Sequence, residues 1–270
     1  MRVFRRRAAE ACQFSKVYMK SFFRFALIAM ALSPVQSVRA DEITLIAPGG
    51  IREAIEKMIP EFERRTGHTV KATFGSGGGT KQQVMRGEAF DVPIVQPPLA
   101  EVLATGHVIA GSETPLATVP VAVAIRKGAA KPDIATPDAV RKMLLAAKAV
   151  SYPDGARGAA AGVSFEETLK KLGIADQMQS KLVRVQGGAN AMVVLSKGEV
   201  DIGLTFLSEI HNPGVDIVGP LPREISTPTA LVGFVSAHAR APEAARALLS
   251  YLSSPEAAGV YKSLGMLPGR

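Results

Sequence analysis

Phe74-Gly75-Ser76-Gly77-Gly78-Gly79-Thr80 is the stretch around which the rest of the sequence is organised. Residues 69–74 alternate β-branched and aromatic with other residues, which predicts a strand. Residues 81–86 predict a short helix that Gly87 ends. A strand-to-helix turn with almost no side chains lets a ligand approach the backbone, and the N–H groups of the helix start favour an anion. A flexible turn without a ligand is the alternative interpretation.

Three sharper motifs do not fit this turn. A phosphate-binding P-loop needs Gly-Lys-Ser/Thr, but Lys81 follows Thr80. The dinucleotide pattern G-x-G-x-x-G requires glycine where Thr80 stands. The nucleophile pattern G-x-S-x-G around Ser76 requires glycine where Phe74 stands. The turn is therefore interpreted as a binding element and not as a catalytic one.

The first forty residues are expected to be a cleaved signal peptide, 1–40. A basic segment precedes the apolar run 22–32, which is too short to span a bilayer, and Val38-Arg39-Ala40 is a plausible cleavage site. Residues 1–18 are interpreted as an upstream extension from a misassigned start. An uncleaved membrane anchor is the alternative. Because no lipid-attachment cysteine stands at the cleavage site, a soluble periplasmic product is expected.

Removing this leader changes the charge of the protein. Residues 1–40 contain eight Lys or Arg and one Glu, a net +7 of the chain's +8, so the mature part carries about +1. The high pI therefore does not indicate a nucleic-acid partner. The single cysteine, Cys12, lies in the leader, so the mature chain is expected to be held together by core burial without disulfides.

Beyond the leader, strands and helices alternate. Predicted strands cover 43–47, 69–74, 91–95, 119–125, 149–152, 182–185 and 200–205. Four turns that follow strands are rich in Gly or Ala: 48–50, 75–80, 155–162 and 187–190. This pattern predicts an α/β fold with mostly parallel sheets whose ligand lies at the carboxyl ends of the strands. Four such turns favour several helix N-termini converging on one anionic solute.

No catalytic or metal-binding set can be assigned from the residue order. The four histidines share no metal-binding spacing, and neither a Ser/His/Asp set nor a carboxylate pair stands out. The histidines are His68, His107, His211 and His238.

Five residues near the Gly-rich turns have two open interpretations each. Arg157 could bind an oxyanion or be a solvated charge, and Lys81 and Arg52 are more typical of exposed helix residues. Phe206 could form a wall of the pocket or belong to the core. Ser76 is interpreted as a hydrogen-bond donor to the ligand or as a helix cap.

From 43 to 268, the sequence resembles the molybdate-type periplasmic solute-binding proteins of ABC importers, within the type II periplasmic-binding-protein superfamily. The resemblance is carried by residues 55–67, the 74–80 turn with Asp91, and the stretches 169–173, 198–203 and 242–265. It implies two α/β lobes, each a sheet flanked by helices, joined by two crossover strands near 115–120 and 222–228. Lobe 1 would comprise 41–117 and 226–270, and lobe 2 would comprise 118–225.

The resemblance also implies a ligand site between the lobes. The family uses serine hydroxyls where this chain has Gly50 and Gly77, a tyrosine hydroxyl where it has Phe206, and backbone amides at Ala161 and Gly188. Without those hydroxyls, a larger anion than molybdate is expected, one that uses the space left by the two glycines. The expected site residues are Gly49, Gly50, Ser76, Gly77, Gly78, Arg157, Ala161, Gly162, Gly187, Gly188, Asn190, Thr205 and Phe206.

The function expected from these observations is capture of a small anion, either a molybdate-like oxyanion or a small organic anion, and its delivery to an ABC permease in the inner membrane. The protein would be a monomer that binds its ligand by lobe closure, without cofactor, metal or catalysis. Two alternatives stay open. One is a ligand-sensing subunit of a signalling receptor, and the other is an enzyme on the same fold.

Overall fold

The computed structural model of the protein describes residues 40–269; the predicted signal peptide, apart from Ala40, lies outside them. The strands are β1 (Glu42–Pro48), β2 (Thr69–Gly75), β3 (Val92–Val95), β4 (Thr114–Val119), β5 (Val121–Arg126), β6 (Val150–Pro153), β7 (Leu182–Val185), β8 (Ile202–Phe206), β9 (Val215–Pro220), β10 (Thr229–Gly233) and β11 (Leu267–Pro268). The helices are α1 (Arg52–Thr66), α2 (Gly77–Met85), α3 (Ala100–Ala104), α4 (Pro137–Ala146), α5 (Ala160–Lys171), α6 (Ala175–Met178), α7 (Gly188–Ser196), α8 (Pro242–Leu252) and α9 (Pro255–Ser263).

The strands form two sheets, one at the centre of each lobe. Lobe 1 contains a six-stranded sheet in the order β11-β4-β10-β3-β1-β2, and lobe 2 contains a five-stranded sheet in the order β7-β6-β8-β5-β9. The chain enters lobe 2 through Pro120, between β4 and β5, and returns to lobe 1 between β9 and β10. The predicted two-lobe α/β architecture is confirmed.

Both sheets are mixed, whereas mostly parallel sheets were expected. β1 pairs in parallel with β2 and β3, and β6 pairs in parallel with β7 and β8. The strands next to the crossovers, β4, β5, β9 and β10, pair antiparallel with their neighbours. The parallel pairs come from β-α-β units, while a strand that carries the chain into or out of a lobe has no such helix to return it.

Helix α1 shows how the sequence pattern builds the core of lobe 1. Ile55, Met58 and Phe62 recur at spacings of three and four residues, and all are buried against the first sheet. The helix ends at Gly67, whose φ of 76° lies in the left-handed region that glycine adopts without strain. The buried face holds the helix so that its N-terminus follows the carboxyl end of β1.

Asp91 braces the strand that approaches the site from lobe 1. Its carboxylate accepts hydrogen bonds from Thr44 N at 2.8 Å, from Thr44 Oγ1 at 2.6 Å and from Arg240 N at 2.6 Å. Burial alone would raise the pKa of Asp91, but these donors and Ala241 N outweigh burial and lower the pKa below its ordinary value. The brace connects β1, the start of β3 and the segment before α8.

Candidate functional site: a cleft between the lobes

A cavity of about 320 Å³ lies between the lobes, where the carboxyl ends of strands from both sheets meet. Its walls are formed by residues that follow β1, β2, β3, β6, β7 and β8. The lining residues are Pro48, Gly49, Gly50, Gly75, Ser76, Gly77, Gln96, Pro153, Asp154, Arg157, Ala159, Ala160, Ala161, Val185, Gln186, Gly187, Gly188, Phe206 and Glu209.

Four helical starts surround this cavity, two from each lobe. Lobe 1 contributes the 3-10 turn Gly49–Ile51 ahead of α1, and also the start of α2. Lobe 2 contributes the starts of α5 and α7, and neither has a side-chain cap. The first N–H groups of a helix have no acceptor within the helix and carry partial positive charge. Main-chain donors from both lobes can therefore bind one anion.

Ser76 serves as the cap of α2. Its Oγ accepts a hydrogen bond from Gly79 N at 3.1 Å, and the residue also lines the cavity. A serine hydroxyl that accepts from the backbone keeps its own O–H free to donate. The two interpretations of Ser76, as a cap and as a ligand donor, are thus compatible.

The two lobes touch directly around the cavity. Gly78 N of lobe 1 donates to Gly158 O of lobe 2 at 2.9 Å. Ser208 Oγ of lobe 2 donates to Gly50 O of lobe 1 at 2.7 Å. His211 Nε2 lies 2.5 Å from Glu53 Oε2 across the same boundary. The structure is therefore that of a closed cleft.

The prediction that Gly50 and Gly77 leave empty space for a ligand is wrong. A Cβ on Gly50 would lie 2.9 Å from Cδ2 of Phe206, and a Cβ on Gly77 would overlap Oε1 of Gln96. The ring and the amide thus occupy the volume that the missing side chains would have filled. Each glycine is matched to one neighbouring side chain.

Gln96, which follows β3, was not predicted as a site residue. Its side chain is 5% exposed, and Nε2 has no hydrogen-bond partner among residues 40–269. The residue lines the cavity beside Gly77. An unpaired amide donor in a buried position costs about 1–3 kcal/mol, so a ligand acceptor that reached this atom would be stabilising.

Glu209, which ends a 3-10 turn after β8, was also not predicted. Thr205 Oγ1 donates to Oε2 of Glu209 at 2.5 Å, and Phe206 N–H also bonds to the carboxyl. Burial raises the pKa of Glu209, and the two donors and the charge of His211 offset this only in part. An ionised carboxylate about 4 Å from a bound anion would cost about 4 kcal/mol at an effective dielectric constant of about 20. An anion in the cavity therefore favours the neutral acid over the ionised form.

Arg157 lies at the rim of the cavity. Its side chain is 72% exposed, and its Nε lies 3.6 Å from Oδ2 of Asp154. Both residues line the cavity, so the guanidinium is partly neutralised before any ligand arrives. An exposed pair of this kind contributes about 0–1 kcal/mol, so Arg157 can orient an anion but is not a buried counter-ion.

Four of the predicted site residues do not line the cavity. The N–H of Gly78 is used in the bond to Gly158, and Gly162 packs against the backbone of Pro153. Asn190 does not line the cavity, and its Nδ2 donates to Gln186 O at 2.7 Å. Thr205 is buried and acts on the cavity through its bond to Glu209.

The other predicted residues line the cavity. They are Gly49, Gly50, Ser76, Gly77, Arg157, Ala161, Gly187, Gly188 and Phe206. Gly188 also lets two side chains approach, because a Cβ there would overlap Oγ1 of Thr205 and Oε2 of Glu209. The missed residues Gln96 and Glu209 do carry a sequence signal, since each follows directly or closely on a strand that ends at the cleft.

Within the described part of the chain, no group of three or more His, Cys, Asp or Glu is placed to hold a metal ion. Across the same residues, no helix combines the length and the apolar character needed to cross a membrane.

Comparison with known proteins places these features in context. The family model for bacterial extracellular solute-binding proteins matches residues 43–267. Aconitate isomerase of a Pseudomonas species is 33% identical over 253 residues, covering 90% of this chain and 95% of that protein. The molybdate-binding protein ModA of Azotobacter vinelandii is 25% identical over 236 residues, covering 85% of this chain and 91% of that protein.

Among solved structures, the periplasmic molybdate-binding protein of Azotobacter vinelandii superposes with a TM-score of 0.70 at 19% identity, over 84% of this chain and all of that one. At this level of sequence identity, the structural similarity shows a shared fold. The resemblance to molybdate-type solute-binding proteins predicted from the sequence is confirmed.

Proposed function

The chain belongs to the family of bacterial extracellular solute-binding proteins, and on that basis we propose that it captures a small anion in the periplasm and delivers it to an ABC permease. The anion is an oxyanion or a small organic anion. Residues 1–40 would direct export, since a basic segment followed by an apolar run is typical of a signal peptide.

One observation carries this proposal: helix starts from both lobes surround a single cavity. Lobe 1 contributes the 3-10 turn Gly49–Ile51 ahead of α1 and the start of α2, lobe 2 contributes the starts of α5 and α7, and residues of all four line the cavity. An anion between them bonds to both lobes at once. It therefore shifts the equilibrium from the open to the closed arrangement, by the difference between its binding free energies to the two arrangements.

Binding can be tested by thermal unfolding of the protein purified from the periplasm. We expect one class of anion, among molybdate, sulfate, phosphate and small carboxylates, to raise the melting temperature in a concentration-dependent way. A ligand at 100 times its Kd stabilises the folded state by about 2.7 kcal/mol. Chloride at equal ionic strength is the control. If no anion of either class stabilises the protein, the proposal is wrong.

Delivery to a permease is tested separately in cells. Deletion of the gene is expected to abolish uptake of the identified ligand, and complementation is expected to restore it. Unchanged uptake, together with altered transcription in response to the ligand, would instead indicate a sensing role.

A second candidate function is isomerisation of a small unsaturated carboxylate. It is favoured by Glu209, a carboxyl with a raised pKa at the cleft wall, and by the 33% identity to an aconitate isomerase. A carboxylate can remove a proton from the carbon beside a double bond and return it to the far carbon, so that the double bond moves and no co-reactant is needed. A raised pKa makes the carboxylate a stronger base for the first half of that transfer.

This second function is tested by incubating the protein with trans-aconitate and following the conversion to cis-aconitate by proton NMR. Glu209→Gln would abolish the conversion, and Glu199→Gln, at an exposed position, would not. Saturable binding of aconitate without conversion would exclude isomerisation and leave the binding function standing.

A further inference from the structure

Two polar side chains line the cavity from opposite lobes. Gln96 lies in lobe 1, where its Nε2 is buried and has no partner in the described part of the chain. Glu209 lies in lobe 2, where its carboxyl is bonded to Thr205. Gln96 is adjacent to Gly77, and Glu209 is adjacent to Gly49 and Gly188. They thus contact different lining residues of the cavity.

The charges around the cavity leave Glu209 without a cationic partner of its own. The charged lining residues are Asp154, Arg157 and Glu209, and Arg157 is paired with Asp154 at the exposed rim. His211 acts on Glu209 at a distance, but its ring is in contact with Glu53. An anion in the cavity therefore favours the neutral form of this carboxyl, and a neutral carboxyl donates one O–H.

We propose that the ligand is a small organic anion with acceptor oxygens at two ends, a di- or tricarboxylate, which accepts a hydrogen bond from Gln96 at one end and from the neutral acid of Glu209 at the other. This inference rests on the proposed anion-binding function and narrows its ligand class. It does not depend on isomerisation.

The size and layout of the cavity support this ligand class over a tetrahedral oxyanion. A cavity of about 320 Å³ is at the lower end of the ~300–1,000 Å³ typical of sites for small organic ligands. A tetrahedral oxyanion needs donors that converge on one centre. Here Phe206 and Gln96 fill the places of side-chain donors at Gly50 and Gly77, and Gln96 and Glu209 contact different lining glycines.

Proton linkage follows from the role of Glu209. The anion binds the protonated form, so binding is strongest below the pKa of Glu209 and weakens as the pH rises through it, by up to tenfold per pH unit above it. The groups that face Glu209 are Thr205 Oγ1, Phe206 N–H and the charge of His211, and burial dominates over all three in raising its pKa.

The proposal is tested by isothermal titration calorimetry with the periplasmic protein, over a pH range in which the added anion is itself fully ionised. The probes are molybdate and sulfate, acetate, succinate and tricarballylate. The variants are Gln96→Leu and Glu209→Gln. Gln82→Leu and Glu199→Gln are the matched controls, because they make the same changes at exposed positions.

We expect succinate or tricarballylate to bind at least tenfold more tightly than molybdate, sulfate and acetate. Gln96→Leu should weaken that binding roughly ten- to a hundredfold, as loss of a hydrogen bond to a charged group does. Glu209→Gln should keep the low-pH affinity and remove the pH dependence. If one variant does not fold, the other still tests the proposal, because Gln96 and Glu209 are proposed to bind different ends of the ligand.

Three results would overturn the inference. Tight binding of molybdate or sulfate with no response to carboxylates would refute the ligand class and leave anion capture intact. Variants that behave like their controls would refute the roles of Gln96 and Glu209. If no anion binds detectably, the proposed function itself is refuted.

Discussion

Gly78→Ala separates closure of the lobes from stability of the fold. Gly78 lies in the first turn of α2 and is not among the glycines with a left-handed φ, so alanine can adopt its backbone conformation. An added Cβ, however, would lie 3.0 Å from Cα of Gly158 and 3.4 Å from its carbonyl oxygen. Both are backbone atoms of the opposite lobe, which cannot turn aside as a flexible side chain can.

The expected size of the effect follows from two opposing terms. Alanine is favoured over glycine within a helix by up to about 1 kcal/mol, which should raise the stability of lobe 1. In the closed arrangement, overpacking by one methyl group costs about 1–3 kcal/mol. The bond from Gly78 N to Gly158 O, now 2.9 Å long, contributes a further ~0.5–1.5 kcal/mol that displacement would remove. Ligand affinity should therefore fall roughly 10- to 1,000-fold.

The assay combines urea unfolding of the ligand-free protein, calorimetry with the identified ligand, and small-angle scattering to follow lobe closure. Gly259→Ala is the matched control, because Gly259 lies inside α9 and a Cβ there meets no atom within 4 Å. The control should share the rise in stability without the loss of affinity. If Gly78→Ala binds as tightly as the wild type and still closes, the contact between Gly78 and Gly158 does not define the bound state.

Three further substitutions test other parts of the structure. Asp91→Asn should lower the free energy of unfolding in urea by about 2–4 kcal/mol at neutral pH. Since hydrogen bonds lower the pKa of Asp91, the wild type should lose this advantage as the pH falls through that pKa. If the two proteins show the same dependence of stability on pH in acid, the reasoning is contradicted. His211→Ala should weaken ligand binding about two- to fivefold at low salt by calorimetry, as expected for a half-exposed pair with Glu53, and no salt dependence would argue against it. Gly50→Ala should destabilise the closed, ligand-bound protein by about 1–3 kcal/mol in thermal unfolding. Adding Phe206→Leu should recover part of that loss. If the effects of the two substitutions on stability simply add, the two residues do not compete for space.

Much of the fold could be predicted because its signals are local. The apolar face of α1 and its end at Gly67 follow from the spacing of residues within one helix. The apolar run 119–125 was predicted as one strand, but Pro120 divides it into the end of β4 and most of β5. The composition is continuous there, while the chain changes sheets. Strands β9 and β10 were not predicted, because their residues become a strand only when neighbours from the same lobe provide the pairing.

The site was less accessible to prediction, for a physical reason. Glycine-rich helix starts are visible in the sequence, because glycine itself indicates close approach of the backbone. The role of Glu209 depends on the burial of its carboxyl group. The role of Gln96 depends on its amide having no hydrogen-bond partner among the described residues. Both properties arise from contacts between segments that are distant in sequence. The pairing of Gly50 with Phe206 is of the same kind, since these residues are far apart in the chain and belong to different lobes.

Ligand control of closure follows from the weakness of the direct contacts between the lobes. The bonds from Gly78 to Gly158 and from Ser208 to Gly50 are ordinary hydrogen bonds, each with a net contribution of about 0.5–1.5 kcal/mol, and the ion pair of His211 adds about 0–1 kcal/mol. Ordering the lobes opposes these few kcal/mol, so we expect open and closed forms to lie close in free energy. An anion that bonds to helix starts in both lobes adds a term of comparable size only to the closed form, which is sufficient to shift the population. The glycines at the contact allow the two backbones to come this close, so we expect the residues that line the cleft also to determine how far the lobes close upon a ligand.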